Sequence, residues 1–255
     1  MRKSRVLEKL RQDNVVISTK LNLMDARVAE LAAMCGFDCI WLCMEHVPTD
    51  WVTIENQIRA AKIYNVDTLV RIARGSYSDY VLPLEADAAG IMVPHLMSSE
   101  EARDVVRQTR FHPTGRRPVD GGNADGRYCM LDFKEYIKEA NAQRFVIVQI
   151  EDPEPLDELE AIAAVDGIDM LFFGPGDYSH AIGRAGETEH PDLEPVMRRI
   201  ANVARHYNRF AGTTGNIQNI DRLVDMGYQF INIGADVLGL GQYYQQLAGK
   251  LYKYL

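Results

Sequence analysis

The chain has 255 residues, 47% of them hydrophobic and 25% charged, enough to bury the core of one large domain. A formal net charge of −8 and a pI near 5.3 argue against nucleic acid as a partner, so any anionic substrate must be met by local arginines. Met1–Asn14 is charged throughout, and no stretch approaches the roughly 18 apolar residues of a spanning helix, so neither a signal peptide nor a membrane is expected.

Apolar periodicity and turn residues divide the chain as follows. Arg5–Arg11 is a short leading helix with Val6, Leu7 and Leu10 on one face, and Val15–Thr19 is a β-branched strand. Ala26–Met34 is a helix stopped by Gly36, and Cys39–Leu42 a second strand. Trp51–Ile63 is a helix entered through Pro48, Thr49 and Asp50. Thr68–Ile72 is a strand and Tyr77–Ala86 a helix. Gly90–Val93 is a strand closed by Pro94, and Glu100–Thr109 a helix with a Ser-Ser-Glu-Glu cap.

Phe111–Arg127 breaks the pattern, because Pro113, Gly115, Pro118 and Gly121-Gly122 predict a long loop, and loops of that length are usually functional. Beyond it, Leu131–Ala140, Leu156–Ala164, Glu194–His206, Ile220–Met226 and Leu238–Leu255 read as helices. Phe145–Ile150, Met170–Phe173, Phe210–Thr213 and Phe230–Ile233 read as strands. Eight strands alternating with helices in about 250 residues is the arithmetic of an α/β TIM (β/α)8 barrel, here one domain over 1–255. A doubly wound sheet is the rival, but no GxGxxG follows the first strand.

Parallel barrels place their chemistry just beyond the strands' carboxyl ends. Those positions are Lys20, Cys43–His46, Arg71, His95, Glu151, Asp177, Thr214–Asn216 and Asp236. The run FVIVQIED delivers Glu151, and MLFFGPGDYS delivers Asp177 after a Gly-Pro-Gly turn. Two carboxylates at one sheet end suit Mg²⁺ or Mn²⁺ with positions left for water and substrate. Each residue has a plainer reading as well. Asp177 also reads as a helix cap, Arg71 as a rim ion pair, His46 as a satisfied loop histidine, His95 as structural and Lys20 as solvated. Cys35, Cys39, Cys43 and Cys129 show no CxxC pair and no zinc spacing, so they read as reduced thiols of a cytoplasmic protein. Arg116 and Arg117, in the long loop, are candidates for a second substrate carboxylate or for rim ion pairs.

The set Glu45-His46, Leu69-Val70-Arg71, Gly90–Pro94, Gln149-Ile150-Glu151 and Gly174–Ser179 resembles the HpcH/HpaI family, continuously from about Val15 to Leu247. These are metal-dependent class II aldolases of the phosphoenolpyruvate/pyruvate superfamily. The resemblance implies cleavage or formation of 4-hydroxy-2-keto acids, from or to pyruvate and an aldehyde, through a metal-stabilised pyruvate enolate. It implies Glu151 and Asp177 as ligands of Mg²⁺, Mn²⁺ or Co²⁺, Arg71 as the oxyanion-stabilising arginine and His46 as acid/base. Gln149, Gly174, Gly176, Asp177 and Ser179 would then line the pyruvoyl subsite, with Gly174–Asp177 amides receiving its carboxylate. A homohexamer, a trimer of dimers that exchange the last helix, is also implied. The alternatives are an oxaloacetate decarboxylase or other carbon–carbon lyase of the superfamily, or a 2-keto-acid-binding protein without turnover.

The chain departs from the family pattern at three places. Cys43-Met44-Glu45-His46 replaces the usual Asp-Gly-Glu-His, removing the aspartate that orients the histidine. Lys20 stands where an aromatic residue is common, and Asn123–Tyr128 departs from a small-residue pattern.

Overall fold

A computed structural model describes residues 1–254. The strands are β1 (Val16–Lys20), β2 (Cys39–Cys43), β3 (Asp67–Arg71), β4 (Gly90–Val93), β5 (Phe145–Ile150), β6 (Met170–Phe173), β7 (Phe210–Gly215) and β8 (Phe230–Ala235). All pair in parallel and in chain order, and β8 returns to β1, giving the closed eight-stranded TIM barrel that the alternation predicts. The first helices are α1 (Arg5–Leu10), α2 (Ala26–Met34), α3 (Trp51–Lys62), α4 (Tyr77–Glu85), α5 (Ser99–Thr109) and α6 (Phe133–Gln143). They are followed by α7 (Leu159–Ala163), α8 (Pro175–Ala181), α9 (Leu193–His206), α10 (Ile220–Asp225) and α11 (Asp236–Leu251).

Side chains alternate across each strand, so one row faces the barrel interior and the other faces the helices. Cys39 and Trp41, Leu69, Met92, Phe145 and Ile147, Met170 and Phe172, and Phe230 form the interior cluster. A Cβ at Gly90 would run into the Phe145 ring, which fills that level of the barrel. Val6, Leu7 and Leu10 of α1 join the same cluster, so the leading helix plugs the amino-terminal end. Buried Asp67 anchors the plug, accepting from Ser4 Oγ (2.7 Å) and Val6 N (2.9 Å) and pairing with Arg2 (2.8 Å). The outward row packs on the helices as a second, larger cluster. Two steps further up the inward row lie Cys43, Arg71, Gln149 and Glu151, and this register aims them at the carboxyl-terminal mouth.

Most predicted boundaries agree to within two residues. The helix expected from Leu131 begins at Phe133 because Asp132 caps it, accepting from Lys134 N and Glu135 N. A short helix not predicted, α8, starts at Pro175, with no side-chain cap on Gly174, so Asp177 lies in a first helical turn. The last helix ends at Leu251 and a single 3₁₀ turn covers Tyr252–Tyr254, while Leu255 lies outside the described residues. No residue of α11 is buried, and Leu238, Tyr243, Tyr244, Leu247 and Leu251 stand exposed along it. Among the described residues no helix is long and apolar enough to cross a membrane.

Candidate active site

On one side of the mouth, β4, β5 and β6 bring His95, Glu151 and Asp177 together. One ring nitrogen of His95 and one carboxylate oxygen from each acid lie within 4.8 Å of one another. Glu151 is 1% exposed, yet no lysine or arginine pairs with it among the described residues. Its oxygens take the backbone N–H of His95 (2.8 Å) and the amide Nε2 of Gln149. Burial, more than any neighbour, pushes the Glu151 carboxyl up to about 7. Gln149 is itself buried, and its Oε1 has no partner. Gly174 is required here, because a Cβ would strike Glu151 Oε2 and crowd Gln149 Nε2.

His95, which the sequence reads as structural, stands beside both acids at the mouth. It follows Pro94 in the left-handed region (φ 47°), uncommon for a residue with a side chain, and this turns the imidazole into the mouth. Nδ1 lies 2.8 Å from Asp152 Oδ2 and 3.7 Å from Glu151 Oε1, and Nε2 lies 3.7 Å from Glu45 Oε1. Partial burial pulls its pKa down, but the bond to Asp152 and the charges of Glu151, Asp152 and Glu45 outweigh it and leave it raised. No periodicity marks such a residue, because the contact depends on a backbone twist and on the adjoining strand.

On the other side, Arg71 ends β3 almost fully buried. Its Nε pairs with Glu45 Oε2 (2.8 Å), its Nη2 donates to Cys43 Sγ (3.2 Å), and its guanidinium lies 4.9 Å from the Trp41 ring centroid. It is therefore no rim ion pair. His46 reaches Glu45 Oε2 at 3.5 Å with its side chain 55% exposed, and its backbone N–H, not its ring, meets Cys43 Sγ (3.5 Å). Lys20 is half-buried rather than solvated, 5.9 Å from the Trp41 centroid, and burial, with Arg71 adding to it, lowers its pKa.

Three of the expected residues are engaged within the protein itself. Ser179 is fully buried, donating to Gly176 O (2.7 Å) and accepting from Gly186 N (3.3 Å), so it ties α8 to the loop that follows. Arg117 is sealed in an ion pair with Asp125 (2.8 Å) and over Phe111, because the long loop folds back on α6. Asp236 holds the amides of Asn22 and Leu23, 2.8 Å each. Gly176 has open space around it and lends its carbonyl to Ser179.

A donor set of one imidazole and two carboxylates, one of them buried without a basic partner, fits a divalent cation. Such a group at the mouth of a parallel barrel, facing a buried arginine, is the architecture of a barrel enzyme. The profile of the HpcH/HpaI aldolase/citrate lyase family matches residues 21–240, and the chain belongs to that family of carbon–carbon lyases. It is 33% identical to a hydroxypyruvate/pyruvate aldolase of Pseudomonas aeruginosa over 253 residues, 97% of this chain and 92% of the relative. A 4-hydroxy-2-oxo-heptane-1,7-dioate aldolase of Escherichia coli is 31% identical over 232 residues, covering 90% and 88%. The crystal structure of an HpcH/HpaI aldolase from Desulfitobacterium hafniense superposes with a TM-score of 0.90 at 28% identity, covering 98% of this chain and 96% of that one.

Proposed function

We propose that the protein is a class II aldolase that splits 4-hydroxy-2-keto acids into pyruvate and an aldehyde, or joins them. The observation that carries this reading is the convergence of Glu151, Asp177 and His95 with a buried Arg71, paired with Glu45, at one barrel mouth. Glu151 and Asp177 would hold Mg²⁺, Mn²⁺ or Co²⁺. The cation's contribution is Lewis-acid stabilisation of negative charge on the 2-keto oxygen.

The chain's own residues supply the rest. Backbone amides at the start of α8 receive the substrate carboxylate, and Gly174 leaves room for it beside Glu151 and Gln149. Arg71, pinned by Glu45 and Cys43 and stacked on Trp41, needs no reorganisation to meet the oxyanion as the C3–C4 bond breaks. His46 takes the proton of the 4-hydroxyl as the C3–C4 bond breaks, a proton is delivered to C3 of the enolate to give pyruvate, and condensation runs the same transfers backwards. Ser179 positions the loop carrying Asp177.

Pyruvate release from a panel of 4-hydroxy-2-keto acids tests the reading. It should vanish with EDTA and return with Mg²⁺, Mn²⁺ or Co²⁺, and turnover surviving thorough chelation would overturn it. Oxaloacetate decarboxylation is the second reading, and the exposed His46 ring favours it, since loss of CO₂ requires no base at a 4-hydroxyl. Decarboxylation outrunning every aldol cleavage by orders of magnitude would make it the principal one. Binding of pyruvate without exchange of its methyl protons into deuterated water would instead indicate a 2-keto-acid-binding protein.

We further propose a cytoplasmic homohexamer, a trimer of dimers exchanging α11. Two observations support it. The four cysteines are unpaired, and an exposed apolar helix leaves β8 beside an apolar groove of about 430 Å³ lined by Leu21, Leu23, Val28, Leu31 and Phe37. Truncation before Val237 should lower the sedimentation mass, and an unchanged mass would exclude exchange.

A further inference from the structure

The sequence offers two oxygen ligands for a metal, and the structure adds a nitrogen. We propose that His95 is a third protein ligand of the divalent cation, so that the site selects Mn²⁺, Co²⁺ or Zn²⁺ over Mg²⁺. This rests on the aldolase reading only in taking Glu151 and Asp177 as the carboxylate ligands.

Three features of His95 carry the argument. Its backbone N–H bonds to Glu151 Oε1 at 2.8 Å, which fixes its Cα against that carboxylate. Its positive φ is retained in a segment braced further by Arg74, which donates to the His95 carbonyl and pairs with Glu101. Backbone held in a sparsely populated region clusters at functional sites, where surrounding contacts over-determine it. Asp152 is the third feature. A carboxylate only accepts, so Nδ1 is the protonated nitrogen of the pair and a neutral ring keeps its lone pair on Nε2. Metal-binding histidines are fixed in this way by a carboxylate on the nitrogen that does not ligate.

The surroundings agree independently. Glu45, Glu151, Asp152 and Asp177 converge on the imidazole, while Arg71 is already paired with Glu45 and Arg74 with Glu101. Gln149 Oε1, buried and unpartnered beside Glu151, offers one more acceptor at the same place. A structural role for His95 would call for none of this. Mg²⁺ prefers all-oxygen octahedral shells and gives up water reluctantly, whereas an imidazole favours ions later in the divalent series. The third ligand therefore changes which metal the protein takes.

The experiment uses full-length protein stripped with EDTA and titrated calorimetrically with MnCl₂ and MgCl₂, beside pulsed electron-spin-echo spectra of the Mn²⁺ form. Wild type should show strong modulation from a directly bound ¹⁴N. His95→Ala should abolish it, weaken Mn²⁺ by about 10–100-fold and weaken Mg²⁺ by less than about threefold. Asp152→Asn, which keeps the ring but loosens its hold, should weaken Mn²⁺ by a smaller factor. Wild-type spectra without a bound nitrogen, or equal Mn²⁺ affinity in folded His95→Ala and wild type, would overturn the proposal. If His95→Ala does not fold, the wild-type spectrum alone decides. An enzyme that binds Mn²⁺ through nitrogen yet cleaves no 4-hydroxy-2-keto acid would sustain the ligand assignment and sink the aldolase reading, so the two fail separately.

Discussion

The two sides of the barrel mouth are built differently. On the β4–β6 side, carboxylates gather around one imidazole, and among the described residues no lysine or arginine pairs with buried Glu151. On the β1–β3 side, Arg71 pairs with Glu45, donates to Cys43 and lies over Trp41, while Lys20 is half-buried and His46 half exposed. One side is arranged for a ligand that supplies positive charge. The other pairs its arginine internally and offers the His46 ring only Glu45 Oε2, 3.5 Å away and shared with Arg71. Binding and proton transfer are therefore separable here, and substitutions should part them.

The largest effect is expected where the charge deficit is greatest. Glu151→Gln and Asp177→Asn each remove a proposed ligand, and pyruvate release at saturating substrate should fall by about 10³-fold or more. Activity within tenfold of wild type for either would remove that residue from the metal site. Next comes Arg71→Lys, which keeps the charge but loses the fork that Glu45 and Cys43 hold. A fall in kcat on the order of 10²-fold is expected, with KM little changed, because the guanidinium acts on charge that develops during bond cleavage. A rise in KM alone would mean that Arg71 binds the substrate's ground state.

Much of this mouth was legible in the sequence because strand ends in a parallel barrel fix position. FVIVQI and MLFF are buried on both faces, so they read as unbroken apolar runs, and the acids that follow must lie at the rim. Arg71 was found by the same logic. β7 and β8 extend two residues past their predicted ends because Thr214-Gly215 and Gly234-Ala235 carry no apolar signal. His95 reads as structural from the sequence because its place beside the acids depends on a left-handed backbone and on Asp152, two residues beyond β5. The bonds of Ser179 to Gly176 and Gly186 were not legible, because a hydroxyl near a glycine turn reads alike whatever it faces. The composition of α11 announces a helix, but not that its apolar face finds no cover within one chain.

A smaller effect lies in stability. Ionising Glu151 in a buried site disfavours the folded state, with the carboxyl raised from 4.5 to about 7. The sign follows directly. The metal-free protein should lose stability as pH rises from about 4.5 to 7, while the unfolded carboxyl ionises and the folded one does not, and the loss is complete above 7. Metal-free Glu151→Gln should then be more stable than wild type by about 2–3 kcal/mol at pH 8, an advantage that fades toward pH 4.5. Added Mn²⁺ should reverse the order by stabilising wild type alone. Calorimetric melts at both pH values check this, and a pH-independent difference would mean that Glu151 is not the group responsible.

The smallest effect belongs to the incomplete side. Cys43 Sγ touches the His46 backbone and the Arg71 guanidinium, so the thiol sits between the two groups that an aldol cleavage must coordinate. An aspartate there would pair with Arg71, which offsets the cost of burying a new charge. It would also offer the His46 ring an acceptor that sulfur does not. Orienting carboxylates contribute up to about 10⁴ where the histidine is fully engaged, but half-exposed His46 should realise far less. Cys43→Asp is expected to raise turnover on 4-hydroxy-2-keto acids by about tenfold and to leave oxaloacetate decarboxylation within about twofold, since only the former moves a hydroxyl proton. The ratio of the two rates is the readout, because a general change in folding or metal content moves both together. If that ratio holds constant in a folded variant, position 43 does not orient His46. The proton of the 4-hydroxyl would then leave by another group, and the exposed ring would be a bystander.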